Sequence, residues 1–179
     1  MVYVFLADGF EEIEALTPMD VLRRAGLDVR TVGVGSKRVT GSHRVEVIAD
    51  IEEKEMEFDS LQAVVLPGGL PGAVDLDRSR SVQKAVARCF EDGGYVAAIC
   101  AAPSVLGHMG LLKGKRATCS PGFEKELLGA EFCDESVVAD GKIITGNGPG
   151  AAMPFALKLA EVLSGEETAR RLRKSMQCR

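Results

Sequence analysis

Short apolar runs alternate with segments of helical period from one end of the chain to the other, the pattern of a largely parallel sheet flanked by helices. Val2 to Ala7 reads as a buried first strand. Glu11 to Ala25 follows as an amphipathic helix, with Ile13, Leu16, Val21 and Leu22 facing the core and Gly26 as its C-terminal stop. Val29 to Val34 is the second strand, and Val45 to Ala49 is a shorter one on an extended excursion. Ala63 to Leu66 is an apolar strand that breaks at Pro67-Gly68-Gly69. Ser81 to Phe90 reads as a helix ended by Asp92-Gly93-Gly94. Tyr95 to Ile99 is the next strand, and it runs directly into Cys100-Ala101-Ala102-Pro103 and a helix reaching Met109. Arg116 to Thr118 is short and strand-like, and Phe123 to Leu128 is a short helix. Ser136 to Ala139 and Lys142 to Thr145 form a hairpin turning at Asp140-Gly141. Gly146 to Gly150 opens a long helix to Leu163, and a charged helix, Glu166 to Lys174, packs outside it. Without repeats, low-complexity tracts or linkers, residues 1–179 read as one domain.

The chain has 179 residues, 46% hydrophobic and 27% charged, enough for one well-filled globular core. A formal charge of −4 leaves no basic footprint for nucleic acid. The absence of tryptophan removes the best stacking platform for single strands. No run of about 18 apolar residues suggests a membrane partner. The N-terminus lacks the basic stretch of a secretion signal, so a cytoplasmic location is expected. Of the five cysteines, Cys89, Cys100, Cys119, Cys133 and Cys178, none sits in a C-x-x-C pair, and an odd count argues against a disulfide framework. Cys89 and Cys133 read as packed structural residues, and Cys178 as part of a loose tail. With only His43 and His108, a zinc site would need scattered residues, so neither a metal nor a cofactor is expected. The Gly146 to Gly150 run lacks the lysine of a phosphate loop and reads as a backbone-approach turn.

The sharpest local feature is Tyr95-Val96-Ala97-Ala98-Ile99-Cys100-Ala101-Ala102-Pro103. A buried strand ends, one residue carries a nucleophile, and a helix begins. Unpaired helix N–H groups and the positive end of the dipole favour a thiolate there and predict a lowered thiol pKa. Ala98, Ala101 and Ala102 permit a tight turn, and Pro103 suits the first helical turn. The plainer reading is a buried structural cysteine. Pro67-Gly68-Gly69 ends at the same sheet edge, where ligands of such folds bind. Its N–H groups can form an oxyanion pocket with that of Ala101, or the segment is simply a tight turn. Glu11, Glu12 and Glu14 follow the first strand and suit the helix dipole. For Glu11 and Glu12 that suffices, whereas Glu14 can point into the cleft.

Four stretches together resemble the DJ-1/ThiJ/PfpI superfamily: Asp8 to Asp20 (DGFEEIEALTPMD), Val64 to Ala73 (VVLPGGLPGA), Val96 to Pro103 (VAAICAAP) and Ile144 to Ala156 (ITGNGPGAAMPFA). They span nearly the whole chain in the family's order. The resemblance implies a flavodoxin-like, class I glutamine amidotransferase-like three-layer α/β sandwich with a largely parallel central sheet. It implies Cys100 as reactive cysteine, Glu14 as its acidic partner, and the backbone at Gly69 and Ala101 as anion-holding amides. It also implies a homodimer. A carboxyl group beside a thiolate in a dry cleft should hold its proton and can then shuttle it. The chain resembles the DJ-1-like branch, because the protease-like branch carries histidine directly after the elbow cysteine, where Ala101 stands. Some members place another histidine on the loop after the following strand. Here that segment is Thr118-Cys119-Ser120-Pro121, so a Cys-His dyad is not implied. Ser120 and Cys119 become secondary candidates, and His43 a candidate substitute that equally reads as a solvated loop residue. His108 lies eight residues along the helix, about 12 Å away, and reads as a helix-end residue.

The resemblance implies a cofactor-independent enzyme acting on a small-molecule carbonyl substrate. The expected chemistry is a glutathione-independent glyoxalase reaction, methylglyoxal to lactate, or the related removal of carbonyl adducts from proteins or nucleotides. The alternative is an oxidative-stress sensor or redox-linked chaperone using the same thiol. A cysteine peptidase or amidotransferase is disfavoured by the missing histidines.

Overall fold

Period-two alternation within the strands is what builds this molecule from two cores. The computed structural model describes residues 1–178. Its main sheet contains β1 (Val2–Leu6), β2 (Val29–Gly33), β5 (Ile51–Glu52), β6 (Ala63–Leu66), β7 (Tyr95–Ile99), β10 (Val137–Asp140) and β11 (Ile143–Gly146), in the order β10-β11-β7-β6-β1-β2-β5. All neighbours are parallel except β10 and β11, which form the expected hairpin. Side chains at alternate strand positions point to opposite faces. Tyr3, Phe5, Val64, Leu66, Val96 and Ala98 therefore fill one core, and Val2, Val4, Ala63, Val65, Ala97 and Ile99 fill the other. Both faces are covered, as a parallel sheet requires.

On the second face lie α1 (Glu12–Arg24), α5 (Ala152–Ser164) and α6 (Glu166–Ser175), contributing Val21, Leu22, Phe155, Leu159 and Leu172. On the first lie α2 (Gly72–Arg78), α3 (Arg80–Glu91) and α4 (Pro103–His108), contributing Leu76, Val82, Val86, Cys89 and Leu106. Helices on both faces of one sheet make the layered α/β architecture that the chain's pattern predicts, and the three-layer, flavodoxin-like sandwich that the resemblance implies. Two small pairs stand apart. The strands β3 (Arg38–Thr40) and β4 (Glu46–Ile48) form an antiparallel hairpin, and β8 (Arg116–Ala117) pairs with β9 (Glu131–Phe132). Among the described residues no helix is long and apolar enough to cross a membrane.

The chain runs from β1 to β2 on one side and then crosses to β6 on the other. The carboxyl ends of β1 and β6 thus flank a topological switch point, where open α/β sheets bind ligands. There Glu11 N–H donates to the Gly68 carbonyl at 2.9 Å, joining the loop after β1 to the loop after β6.

Several expected details change. Ile13 is 52% exposed whereas Glu14 and Ala15 are fully buried. Ile13 shares its helix face with Asp20 and Arg24, which are exposed; the buried stripe is Glu14, Ala15, Pro18, Val21 and Leu22. The helix α2 was not expected, because its start at Pro71-Gly72 carries turn residues. Phe123 to Leu128 contains only a 3₁₀ turn at Glu124–Glu126. Cys133 is half-buried on a solvent-facing edge rather than packed inside, and Cys178 packs against the second core rather than hanging loose.

Candidate active site

Cys100 is held in a backbone conformation that its side chain disfavours. Its φ is +67°, the left-handed region that costs non-glycine residues about 1–3 kcal/mol. Two hydrogen bonds impose it: Cys100 N–H donates to the Gly146 carbonyl at 2.9 Å, and Ser120 N–H donates to the Cys100 carbonyl at 2.8 Å. Strands β7 and β11 and the loop after β8 therefore fix the elbow from three sides. The predicted strand–nucleophile–helix turn is present, with Pro103 as the first residue of α4.

Glu14 stands beside that thiol. Its side chain is fully buried, and Gly68 N–H donates to its Oε2 at 2.8 Å. Among the described residues Oε1 has no hydrogen-bond partner. Burial pushes the Glu14 carboxyl up to about 7, and the Glu11 charge adds to this against the Cys100 side chain and the Gly68 N–H. Burial likewise pushes the Cys100 thiol up to about 11, reinforced by Glu14; the Ser120 hydroxyl and Ala101 N–H pull the other way.

The thiol therefore corrects the expectation of a lowered pKa. The first residue of α4 lies three positions beyond Cys100, and withdrawal of the sulfur from water beside a carboxylate outweighs the favourable dipole. Two adjacent anions are avoided by keeping a proton in the pair. Both groups are pushed toward their protonated forms, so the pair is built to hold and exchange a proton.

The glycines divide their roles. Gly68 spends its N–H on Glu14, so it is not the free oxyanion donor expected of it. A Cβ there would lie 2.7 Å from both the Cys100 Cβ and the Glu14 Oε2, so only glycine lets the pair meet. Gly69, at φ +89°, donates its N–H to no acceptor among the described residues.

Of the secondary candidates, Ser120 reaches the thiol. Cys119 lies close enough for the Cys100 charge to raise its own pKa, which burial pushes up to about 11, but its side chain belongs to the first core while Cys100 packs against the second. His43 is drawn to α1, not to the thiol: Nδ1 lies 2.9 Å from Glu12 Oε2. His108 bridges Asp77 at 3.0 Å and Glu126 at 2.9 Å. Neither imidazole is a partner of Cys100.

One cluster was not foreseen. Glu12, read as a simple dipole-compensating residue, is 8% exposed and accepts the His43 N–H at 2.8 Å. It ties α1 to the loop before β4 across 31 residues of sequence. The only available signal was Glu12's place directly before the buried Glu14 stripe. Depth alone does not mark a site here. A cavity of about 440 Å³ lies between Val137, α5 and α6, lined by side chains such as Lys158 and Arg170 and without a nucleophile.

Residues 1–162 match the model of the DJ-1/PfpI family. Protein dj-1beta of Drosophila melanogaster is 40% identical over 176 residues, covering 97% of this chain and 94% of the relative. Its crystal structure superposes with a TM-score of 0.92 at 38% identity over 98% of this chain and 96% of that one. Glutathione-independent glyoxalase DJR-1.2 of Caenorhabditis elegans is 32% identical over 168 residues, covering 93% of this chain and 89% of the relative. Deglycase TK1284 of Thermococcus kodakarensis is 36% identical over 168 residues, covering 90% and 98%. Sequence match and superposition agree over nearly the whole length, and the chain belongs to the DJ-1/PfpI family.

Proposed function

We propose that this chain is a cofactor-independent enzyme that uses Cys100 and Glu14 on small α-oxoaldehydes, converting methylglyoxal and water to lactate. The observation that carries the reading is Cys100 at a left-handed elbow with the buried Glu14 carboxyl beside it and one oxygen of that carboxyl unpartnered. The names of two relatives, a glutathione-independent glyoxalase and a deglycase, support the substrate class.

The steps use the proton that Cys100 and Glu14 share. Sulfur attacks the aldehyde carbon as Glu14 takes the thiol proton, so no free thiolate has to persist. The carbonyl oxygen gains negative charge that the Gly69 and Ala101 N–H groups would stabilise, and Glu14 returns the proton to it, giving a hemithioacetal and freeing the carboxylate for the next step. Glu14 removes the hydrogen from the former aldehyde carbon to give an enediol, and returns a proton to the neighbouring carbon, leaving a thioester. Water then releases lactate and restores the thiol. Removal of carbonyl adducts from proteins or nucleotides would begin with the same attack.

An oxidation-sensing role would act through the same thiol, beside the Glu14 carboxyl. Five free cysteines suit a reducing, cytoplasmic compartment. Exposed Ile13, Val45 and Ile48 offer a surface for the homodimer expected of the family. The decisive assay is turnover of methylglyoxal without glutathione. Cys100→Ala should abolish it, and turnover surviving in that variant would overturn the proposal.

A further inference from the structure

The loops that leave β1 and β6 meet backbone against backbone. Gly9 is buried at φ +82°, and a Cβ there would lie 2.5 Å from Pro71 Cδ and 2.7 Å from Pro71 N. Gly72, the first residue of α2, faces the same loop from the other side, where a Cβ would lie 2.7 Å from Phe10 N. A Cβ on Gly69 would run into Glu11 N and the Gly9 carbonyl. Bare backbone is what lets the two loops close on each other.

This junction fixes one donor. Glu11 N–H donates to the Gly68 carbonyl at 2.9 Å, and Ala73 N–H donates to the Gly69 carbonyl at 2.9 Å. Both peptide groups that flank Gly69 are therefore held. In a trans peptide the C=O and N–H point opposite ways, so the bond from Glu11 turns the Gly69 N–H away from the loop after β1. The same bond polarises the shared peptide group and strengthens its N–H as a donor. Gly68, on the other side of that peptide, lies against Cys100. The loop after β1 is itself tied down, with Gly9 N–H donating to the Thr40 carbonyl at 2.8 Å and Phe10 N–H to the Ala7 carbonyl at 3.0 Å.

We propose that Gly9 is a positioning residue of the active site, which together with Gly72 sets the Gly69 N–H where the substrate oxyanion develops. The role rests on the Cys100 reaction proposed above. The charge met there is the electron pair that the aldehyde oxygen takes up as the sulfur–carbon bond forms. Gly9 acts through Gly69 and not on the sulfur. A side chain at Gly9 or Gly72 wedges the loops apart and shifts that donor, while the Gly68 N–H keeps its own bond to Glu14.

Gly9→Ala and Gly72→Ala load the junction from its two sides, and Gly26→Ala is the control. Gly26 has φ +83° but no neighbour within 4 Å of its Cβ position, so alanine there carries the backbone strain of Gly9→Ala without the wedge. Gly72 is helical, so its variant carries the wedge without that strain and serves where Gly9→Ala does not fold by circular dichroism. Both junction variants should lose about a hundredfold in kcat for methylglyoxal, as for a group misplaced by about 1 Å. KM should stay unchanged, because the contact is made only in the transition state. Alkylation of Cys100 by iodoacetamide, which builds no oxyanion, should keep its parental rate. In amide NMR spectra the Gly69 resonance should move in the junction variants and stay in Gly26→Ala. Parental kcat in the folded junction variants, alkylation slowed in step with turnover, or an equal loss in Gly26→Ala would each overturn the role. A parent chain that does not turn over methylglyoxal would sink the reaction instead, and an unmoved Gly69 resonance would then overturn the positioning by itself.

Discussion

Gly68 donates its N–H to Glu14 at 2.8 Å while leaving no room for a side chain of its own. One residue therefore both orients the acid and allows the nucleophile to approach it. A Cβ at this position would press on Cys100 and on the Glu14 carboxyl at 2.7 Å each. Gly68→Ala should thus separate the pair while the sheet survives. Displacement of reacting groups by about 1 Å can cost about a hundredfold in rate, so methylglyoxal turnover should fall by about that factor with an unchanged far-ultraviolet spectrum. Near-parental turnover would mean that the carboxyl does not need this contact.

Glu14 acts on the thiol in two opposed ways, and one substitution separates them. Its charge raises the Cys100 pKa, yet its oxygen is the acceptor for the thiol proton in the proposed reaction. Glu14→Gln removes both. Alkylation of Cys100 by iodoacetamide at pH 8 should accelerate, because the repelling charge is gone, while turnover should fall by about 10²–10⁴-fold for loss of a general base. Ser120→Ala should slow alkylation, since the hydroxyl favours the thiolate. Mass-spectrometric alkylation time courses read each direction.

The strands and their two-faced alternation were legible because the period of a pleated sheet is a local property; so was the elbow, where an apolar strand meets Cys100. Glu14 was legible as the acid, but not through its helix face, since Ile13 beside it is as apolar as a core residue and yet stands with Asp20 and Arg24. The thiol's direction of shift could not be read, because desolvation depends on how much chain covers Cys100. Nor could the partition of Gly68 and Gly69, whose N–H groups differ only in which acceptor the fold presents. Glu12 and His43 meet across the loop before β4, and no spacing rule connects them.

Asp50 supplies a stability prediction with a definite sign. Its carboxylate accepts the Thr31 N–H at 2.7 Å, the Thr31 hydroxyl at 2.8 Å and an Arg23 N–H at 2.6 Å, pinning β2 to the turn before β5. Burial pushes the carboxyl up, but these donors outweigh it and hold the pKa below its usual 3.8. A depressed folded pKa means stabilisation that is present above the unfolded value and lost as pH falls through the folded one. Asp50→Asn should lower the melting midpoint by about 2–4 °C at pH 7, as for loss of about 1 kcal/mol. The gap from the parent should close as pH drops below 3.8. A pH-independent gap would assign the effect to packing.

His108 carries the opposite sign. Its two nitrogens bridge Asp77 on α2 and Glu126 in the turn that follows β8, so a protonated ring ties both segments to the end of α4. Hydrogen bonding to Glu126 raises its pKa above 6.5, and Asp77 adds to this against partial burial. A raised folded pKa means stabilisation that is complete below pH 6.5 and lost as pH rises through the folded value. Replacing His108 by glutamine keeps polarity without a titrating charge. His108→Gln should therefore melt below the parent at pH 5.5 and approach it at alkaline pH, with midpoints measured at constant ionic strength. Because both carboxylates are partly exposed, added salt should narrow the acid-side difference. If the gap instead widens toward alkaline pH, the ring is held neutral and the bridge is no ion pair.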